Sequence, residues 1–168
     1  MTKIDQTQLF TPLLENLRAN GCFVVTGNDA PNMMTIGWGT AGIMWGKEIF
    51  MVAVRVSRYT KEKLDGLKEF TICIPGKDNP LAEELGFAGA QSGRDYDKAQ
   101  ELSLTYVPSD TVSVPYIKEC AAAYECKVMY ETTMSGENLD EGIDQTAYRD
   151  GDYHVLYFGE ITACHLAE

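Results

Sequence analysis

Basic residues are scarce in this sequence. Its 14 lysines and arginines stand against 25 aspartates and glutamates, and the formal net charge is −11. Proteins that bind nucleic acid or an anionic membrane present a broad basic face to phosphate groups. The charge therefore predicts neither nucleic acid nor a membrane as a partner. It remains compatible with one small anion in a local basic pocket.

Long apolar runs are missing as well. No run approaches the roughly 18 residues that a helix needs to span a bilayer. The first ten residues, MTKIDQTQLF, lack the basic and then apolar pattern of a signal peptide. We therefore expect a cytoplasmic protein. A length of 168 residues with 45% hydrophobic content predicts a single domain over residues 1–168.

Metal-binding patterns are not found. There are only two histidines, and the cysteines are odd in number, irregularly spaced and without a Cys-x-x-Cys pair: Cys22, Cys73, Cys120, Cys126 and Cys164. The sequence therefore predicts no metal site, and it favours reduced, buried thiols in a reducing compartment.

The hydrophobic pattern predicts mainly β structure with a few helices. A helical stripe over residues 6–21 ends at Asn20-Gly21, and residues 79–102 indicate two short helices separated by a Gly-Arg-Asp break. Apolar β-type runs, separated by turn residues, cover 22–27, 33–38, 48–56, 70–75, 104–108, 112–117, 122–134 and 153–166. The glycine-rich stretch 39–47 is interpreted as a spacer, and the acidic stretch 136–152 as an excursion over the surface.

About seven strands with too few helices for parallel crossovers indicate an antiparallel barrel or sandwich. The helices would then cover its ends or flanks. The predicted fold class is α+β, mainly β, with a β-barrel core.

Positive charge is concentrated at the end of one predicted strand. Residues 47–68 hold six of the 14 basic residues, and the strand ends in RVSRYTK, residues 55–61. Ser57 or Thr60 can cap the following helix, whose first N–H groups would face an anion. The guanidinium groups of Arg55 and Arg58 suit phosphate oxygens. An ordinary solvated turn with a helix cap explains the same letters.

Glycines are concentrated in a second stretch, NMMTIGWGTAGIMWG, residues 32–46. Glycine within β-type sequence marks a bulge, a barrel corner or a place where a ligand approaches the backbone. Trp38 and Trp45 flank the glycines, so either a flat heterocycle or a barrel corner with core tryptophans is consistent with the pattern.

These stretches carry a resemblance to a known family. Together with SGRDYDK (92–98), YECKV (124–128) and YFGEI (157–161), they resemble the flavin reductase-like family and, within it, the flavoredoxin group. Its members are FMN-binding split β-barrels that form homodimers, with the flavin near the subunit boundary. The similar blocks keep the family's order and extend over nearly the whole chain.

The resemblance implies a set of cofactor contacts in this chain. The residues that would hold the FMN phosphate are Arg55, Ser57, Arg58, Tyr59, Thr60 and Lys61, the last replacing the family's usual histidine. Those along the isoalloxazine edge would be Met34, Thr35, Ile36, Gly37 and Trp38, with Thr40 and Ala41 over the ribityl chain. Arg94 and Lys98 would either reach the flavin or form structural ion pairs with Asp95 and Asp97.

One histidine is a candidate catalytic residue by the same resemblance. His154 aligns with the histidine that flavin reductases carry five residues before a closing glycine, here Gly159. It could steer a nicotinamide or a flavin carbonyl, or it could be a strand histidine satisfied by a neighbour.

The predicted function is an FMN-dependent oxidoreductase that uses NAD(P)H. The alternatives are a flavoredoxin-type carrier that passes electrons to a partner protein without binding nicotinamide, and an FMN sensor or storage protein. The sequence does not separate the first two. A basic pocket at a strand end suits a terminal phosphate, which favours FMN over FAD, whose adenylate would need additional room.

Overall fold

The computed structural model of the chain describes residues 2–3 and 5–166. The helices are α1 (Phe10–Arg18), α2 (Tyr59–Leu67), α3 (Ala82–Ala90), α4 (Lys98–Glu101) and α5 (Glu141–Ala147). The strands are β1 (Thr2–Lys3), β2 (Cys22–Thr26), β3 (Asn32–Ile36), β4 (Gly39–Met44), β5 (Lys47–Arg55), β6 (Glu69–Ile74), β7 (Tyr106–Val107), β8 (Tyr116–Ile117), β9 (Ala122–Thr133) and β10 (His154–Leu166). Within these described ranges, no helix has the length and apolar character to cross a membrane.

Eight of the strands form one antiparallel sheet. Seven follow the order β3-β2-β6-β9-β10-β5-β4, and β1 pairs with β10. The long strand β10 lies between β9 and β5, and its ladder to β9 is irregular at Phe158/Gly159 and at Ile161/Ala163. A Cβ at Gly159 would lie 2.6 Å from the Phe70 ring, so glycine is needed where β10 crosses the core.

The sheet packs a core on each of its faces. Along β2, Cys22 and Val24 belong to one cluster, which contains buried residues from six strands, while Phe23 and Val25 belong to a second cluster beneath α3. Six strands of the sheet therefore share the first cluster. All five cysteines are buried, as the sequence predicts.

Most predicted elements are present, and three segments differ. Helix α1 and the pair α3 and α4 lie within the predicted ranges, but residues 104–117 contain only the two-residue strands β7 and β8. Residues 39–44, interpreted as a spacer, form β4, because all six pair with β5. This ladder overrides the low strand propensity of three glycines in 39–46.

The acidic stretch 136–152 also differs from the prediction. It contains α5 and then returns to the sheet, where Tyr148 is only 4% exposed. The excursion is therefore anchored at its end, and this brings Tyr148 to the candidate site.

Candidate functional site

Two small adjacent cavities lie near the connection from β3 to β4. These are the first and last strands in the order of the sheet. The gap cavity, about 240 Å³, is lined by Met34, Thr35, Ile36, Gly37, Trp38, Ala53, Arg55, Arg58 and His154. The helix cavity, about 120 Å³, is lined by Asn32, Met34, Ser57, Arg58, Tyr59, Thr60, Gln91, Ser92, Gly93, Arg94 and Lys98. Met34 and Arg58 line both, so the two cavities are neighbours.

The helix cavity lies at the start of α2. Arg58 precedes the helix in an extended conformation, and its side chain makes no capping hydrogen bond. The acidic residue of the first turn, Glu62, pairs with Arg94. The positive end of the helix dipole therefore faces the cavity. The Arg58 guanidinium is exposed and donates one long hydrogen bond, 3.3 Å, to the Gly89 carbonyl. Most of its donors remain available to a ligand.

Lys98 adds a buried positive charge to the helix cavity. Lys98 is only 5% exposed, and its Nζ donates hydrogen bonds to the carbonyls of Met33 (2.9 Å) and Ala88 (2.7 Å). Burial, with a smaller contribution from the Arg58 charge, lowers the pKa of Lys98 to about 8. The ammonium has three donors, and these two bonds, the ones it makes within the described residues, leave one N–H for a ligand.

Thr60 and Tyr59 are fixed by neighbours around the cavity. The buried Thr60 Oγ1 accepts a 3.0 Å hydrogen bond from Asn32 Nδ2. Cations lie over the Tyr59 ring, with Arg94 Cζ 5.0 Å from its centroid and Lys63 Nζ 5.3 Å from it. Arg94 also pairs with a glutamate of α2, Glu62, instead of the aspartates of its own loop.

Arg55 lines the gap cavity but not the helix cavity. Its Nη1 donates to the Asp152 carbonyl (2.6 Å) and its Nη2 to the Ala147 carbonyl (3.0 Å). The Asp152 carboxylate accepts hydrogen bonds from the N–H and the hydroxyl of Ser57. Burial would raise the pKa of Asp152, but the hydrogen bonds from Ser57 together with the nearby Arg55 charge lower it overall. Through these hydrogen bonds, Arg55 and Ser57 fix the position of the segment that follows α5.

His154 forms one wall of the gap cavity. It is 7% exposed, its ring centroid lies 4.9 Å from that of Trp38, and its Nδ1 lies 2.8 Å from the Tyr148 hydroxyl. Burial, with the nearby Arg55 charge, lowers the pKa of His154 to about 4. The imidazole is therefore neutral at pH values near 7.

Most of the residues singled out from the sequence meet at the two cavities, while three do not line either one. Lys61 pairs with Asp65 on the next turn of α2, and Thr40 and Ala41 lie on β4 opposite β5. The lining residues that the sequence interpretation missed are Asn32, Ala53, Gln91, Ser92 and Gly93. Ser92 and Gly93 belong to the SGRDYDK motif and could have been found there, whereas nothing local marks Ala53 or Gln91.

A wider cleft of about 800 Å³ adjoins the helix cavity. Both are lined by Asn32, Tyr59, Gly93, Arg94 and Lys98. FAD would need additional room for its adenylate, and this cleft offers such room beside the helix cavity.

Another titratable cluster lies away from these cavities. The carboxylate of the fully buried Glu125 accepts hydrogen bonds from the N–H groups of Asp110 and Thr111, and it contacts His165 Nε2 at 2.7 Å. Ligand atoms of Asp110, Glu125 and His165 lie within 4.8 Å of one another. Burial would raise the pKa of Glu125, but its hydrogen bonds, led by that from Thr111, lower it. Since protein donors already engage the carboxylate, the cluster anchors the loop that precedes β8.

The sequence of the chain matches a known protein family. The chain belongs to the flavin reductase-like family, because residues 17–168 match the model of the flavin reductase like domain. The predicted family is thereby confirmed. An uncharacterized protein of Archaeoglobus fulgidus is 33% identical over 139 residues, which cover 80% of this chain and 77% of that protein.

Solved structures confirm the split-barrel fold. The flavoredoxin of Desulfovibrio vulgaris (Miyazaki F) superimposes with a TM-score of 0.69 and 25% identity, covering 89% of this chain and 70% of that one. An FMN-binding protein from Thermus thermophilus with bound 1-cyclohex-2-enone gives a TM-score of 0.67 and 22% identity, covering 86% and 68%. The predicted fold class, mainly antiparallel β with flanking helices, is confirmed.

Proposed function

We propose that this protein binds FMN across the two cavities and acts as an oxidoreductase that uses NAD(P)H. The observation that carries the proposal is the helix cavity. In a chain of net charge −11, it combines an uncapped helix start with the cations Arg58 and Lys98. A phosphate dianion is the ligand that such donors suit.

The residues of the gap cavity fit the ring end of the cofactor. Gly37 has open space where a Cβ would stand, Trp38 offers an aromatic face, and neutral His154 offers a polar nitrogen. When bound, the flavin itself supplies the hydride and electron chemistry. The chain's own residues bind and orient it, which agrees with the lack of a strong catalytic base in the cavity.

A flavoredoxin-type electron carrier is the second candidate. The 25% identity and the TM-score of 0.69 to a flavoredoxin favour it. The two candidates differ in whether pyridine nucleotide reduces the flavin directly.

Anaerobic titration with NADH and NADPH tests the proposal. The native protein should purify yellow, mass analysis of the released cofactor should give FMN, and the flavin absorption should bleach with one of the two nucleotides. Bleaching by dithionite alone would support the electron carrier and exclude NAD(P)H as the donor. A colourless protein that does not bind added FMN would overturn both candidates.

The charge on Lys98 leads to a pH-dependent affinity for FMN. As the pH rises from about 7 to about 9, it passes the lowered pKa of about 8, and the ammonium loses its proton. A charge-assisted bond to phosphate then becomes a neutral one, so FMN affinity should fall by up to about tenfold. Fluorescence quenching across this range measures it, with riboflavin as the phosphate-free control. The idea fails if riboflavin weakens in parallel, or if Lys98→Gln keeps the same pH dependence.

We also propose that the protein is a homodimer, and an aromatic patch with two exposed members, Trp45 and Tyr130, supports this. The patch consists of Trp45, Tyr130 and Phe158, whose rings lie 5.7–6.3 Å apart. Trp45 is 56% exposed, and it occupies the tight turn between β4 and β5 with a φ of 54°. A bulky residue is disfavoured in this left-handed conformation, where such hairpin turns prefer Asn-Gly. An unfavourable, exposed tryptophan is readily explained by a contact with a second copy.

Replacing Trp45 with asparagine should therefore separate the subunits without harming the hairpin. Asparagine suits the turn before Gly46, so thermal stability of the monomer should be kept while light scattering shows a mass near 18.6 kDa. Trp45→Phe retains an aromatic contact and should remain largely dimeric. A wild-type protein that is monomeric while it holds FMN tightly would contradict the proposal.

A further inference from the structure

The hydroxyl group of Tyr148 lies between two possible acceptors. His154 Nδ1 is 2.8 Å away, and the thioether sulfur of Met134 is 3.2 Å away. Both rings are buried, with Tyr148 4% and His154 7% exposed. The single hydroxyl proton can be directed to only one of them, and the choice decides which nitrogen of His154 carries a proton.

The imidazole nitrogen is the better acceptor. A thioether sulfur accepts hydrogen bonds weakly, whereas an unprotonated imidazole nitrogen accepts them well. The Tyr148 proton therefore goes to Nδ1 of His154. In a neutral imidazole one nitrogen accepts and the other donates, so the remaining hydrogen is on Nε2.

Nε2 is the nitrogen that remains for the gap cavity, which His154 lines. In the part of the chain that the structure describes, no protein group is hydrogen-bonded to it. An N–H donor on the cavity wall would thus be left for a ligand.

The position of Tyr148 is fixed by contacts with Arg55 and Tyr153. The Arg55 Cζ atom lies 5.4 Å from the centre of the Tyr148 ring, and Nη2 binds the carbonyl of the preceding residue. On another side the Tyr153 ring stacks on Tyr148 with a centroid distance of 5.0 Å. A ring fixed in this way holds its hydroxyl group at a constant position relative to His154.

We propose that Tyr148 is a positioning residue that fixes His154 as the tautomer protonated on Nε2, so that the gap cavity offers a hydrogen-bond donor to a carbonyl oxygen of its ligand. The role toward a ligand rests on the proposed function, in which that oxygen belongs to the FMN ring. The tautomer itself does not rest on it, because it follows from contacts within the chain.

Nitrogen NMR on flavin-free protein, labelled with ¹⁵N in its two histidines, tests the tautomer directly. His154→Asn assigns the signals, since only those of His165 remain. In the wild type at neutral pH, Nδ1 of His154 should have the shift of an unprotonated nitrogen and Nε2 that of a protonated one. The reverse pattern would overturn the proposal.

Conservative variants then test the part played by Tyr148. Tyr148→Phe keeps the buried ring but removes the hydroxyl group, so His154 should become a mixture of tautomers. Tyr153→Phe is the matched control, since its hydroxyl group binds Asp144 and not His154; the tautomer should not change. Met134→Leu should not change it either, because the thioether accepts nothing in the proposed arrangement. An unchanged single tautomer in a folded Tyr148→Phe protein would overturn the positioning role.

The ligand-dependent part needs a separate measurement. Loss of one neutral hydrogen bond should lower FMN affinity by about two- to tenfold in Tyr148→Phe, and riboflavin affinity equally, since both have the same ring. If the tautomer is as proposed but neither affinity changes, the donor does not face the flavin ring and this part of the proposal is wrong. If neither flavin binds the wild type, the proposed function fails while the NMR result stands.

Discussion

Replacing Arg58 with alanine is expected to lower the affinity for FMN by about ten- to a hundredfold and to leave riboflavin affinity almost unchanged. Arg58 lines the helix cavity, and among the described residues its guanidinium makes one long hydrogen bond. The change removes charge-assisted bonds to the phosphate, worth about 1.5–3 kcal/mol, and tenfold in affinity corresponds to about 1.4 kcal/mol. The fold should be kept, because the side chain is exposed. Fluorescence quenching with both flavins measures the effect.

Arg55→Ala is the matched comparison, since it removes the same group three residues earlier. The sequence gives both arginines the same role, but the structure engages Arg55 with the carbonyls of Ala147 and Asp152. Its loss should loosen the segment that carries Tyr148 and weaken FMN and riboflavin alike. If Arg58→Ala weakened the two flavins equally, the assignment of the phosphate to the helix cavity would be wrong.

Replacing Gly93 with alanine is expected to reduce FMN affinity by at least about tenfold through a steric effect. A Cβ there would lie 1.9 Å from Asn32 Oδ1 and 3.1 Å from the Tyr59 ring. Asn32 is buried and donates to Thr60, so its displacement breaks a buried hydrogen bond at the cavity. We expect the free energy of unfolding to fall by about 1–3 kcal/mol. Urea unfolding and flavin quenching on the same samples measure both effects.

Gly86→Ala is the control for this prediction. Gly86 lies in α3, outside both cavities, and an added Cβ meets nothing within 4 Å. Alanine is the better helix former, so stability should rise by about 0.5–1 kcal/mol with FMN affinity unchanged. A Gly93→Ala protein that binds FMN as tightly as the wild type would show that the loop gives way easily and does not shape the site.

The elements of the fold could largely be predicted from the sequence, because their signals are local. The helical stripe of α1, the apolar run of β5 and the break between α3 and α4 are each contained within some 20 residues. The resemblance to the family rests on such local motifs too, and the family and the fold class are both confirmed. Strand β4 could not be predicted in this way, because its glycine-rich sequence forms a strand only through its ladder to β5.

The candidate site also has a part that local sequence predicts and a part that it does not. The concentration of positive charge where β5 ends and α2 begins can be predicted from the sequence, because a strand end, a helix start and their side chains are neighbours along the chain. Which arginine remains available for a ligand depends on contacts between distant parts of the chain. Arg55 is engaged by residues more than 90 positions away, and Lys98 is buried against Met33, 65 positions away. Tyr148 reaches His154 because Arg55 draws the end of an acidic excursion back to the sheet. Burial and long-range hydrogen bonds set the charge and direction of these groups, and both depend on neighbours that no local pattern specifies.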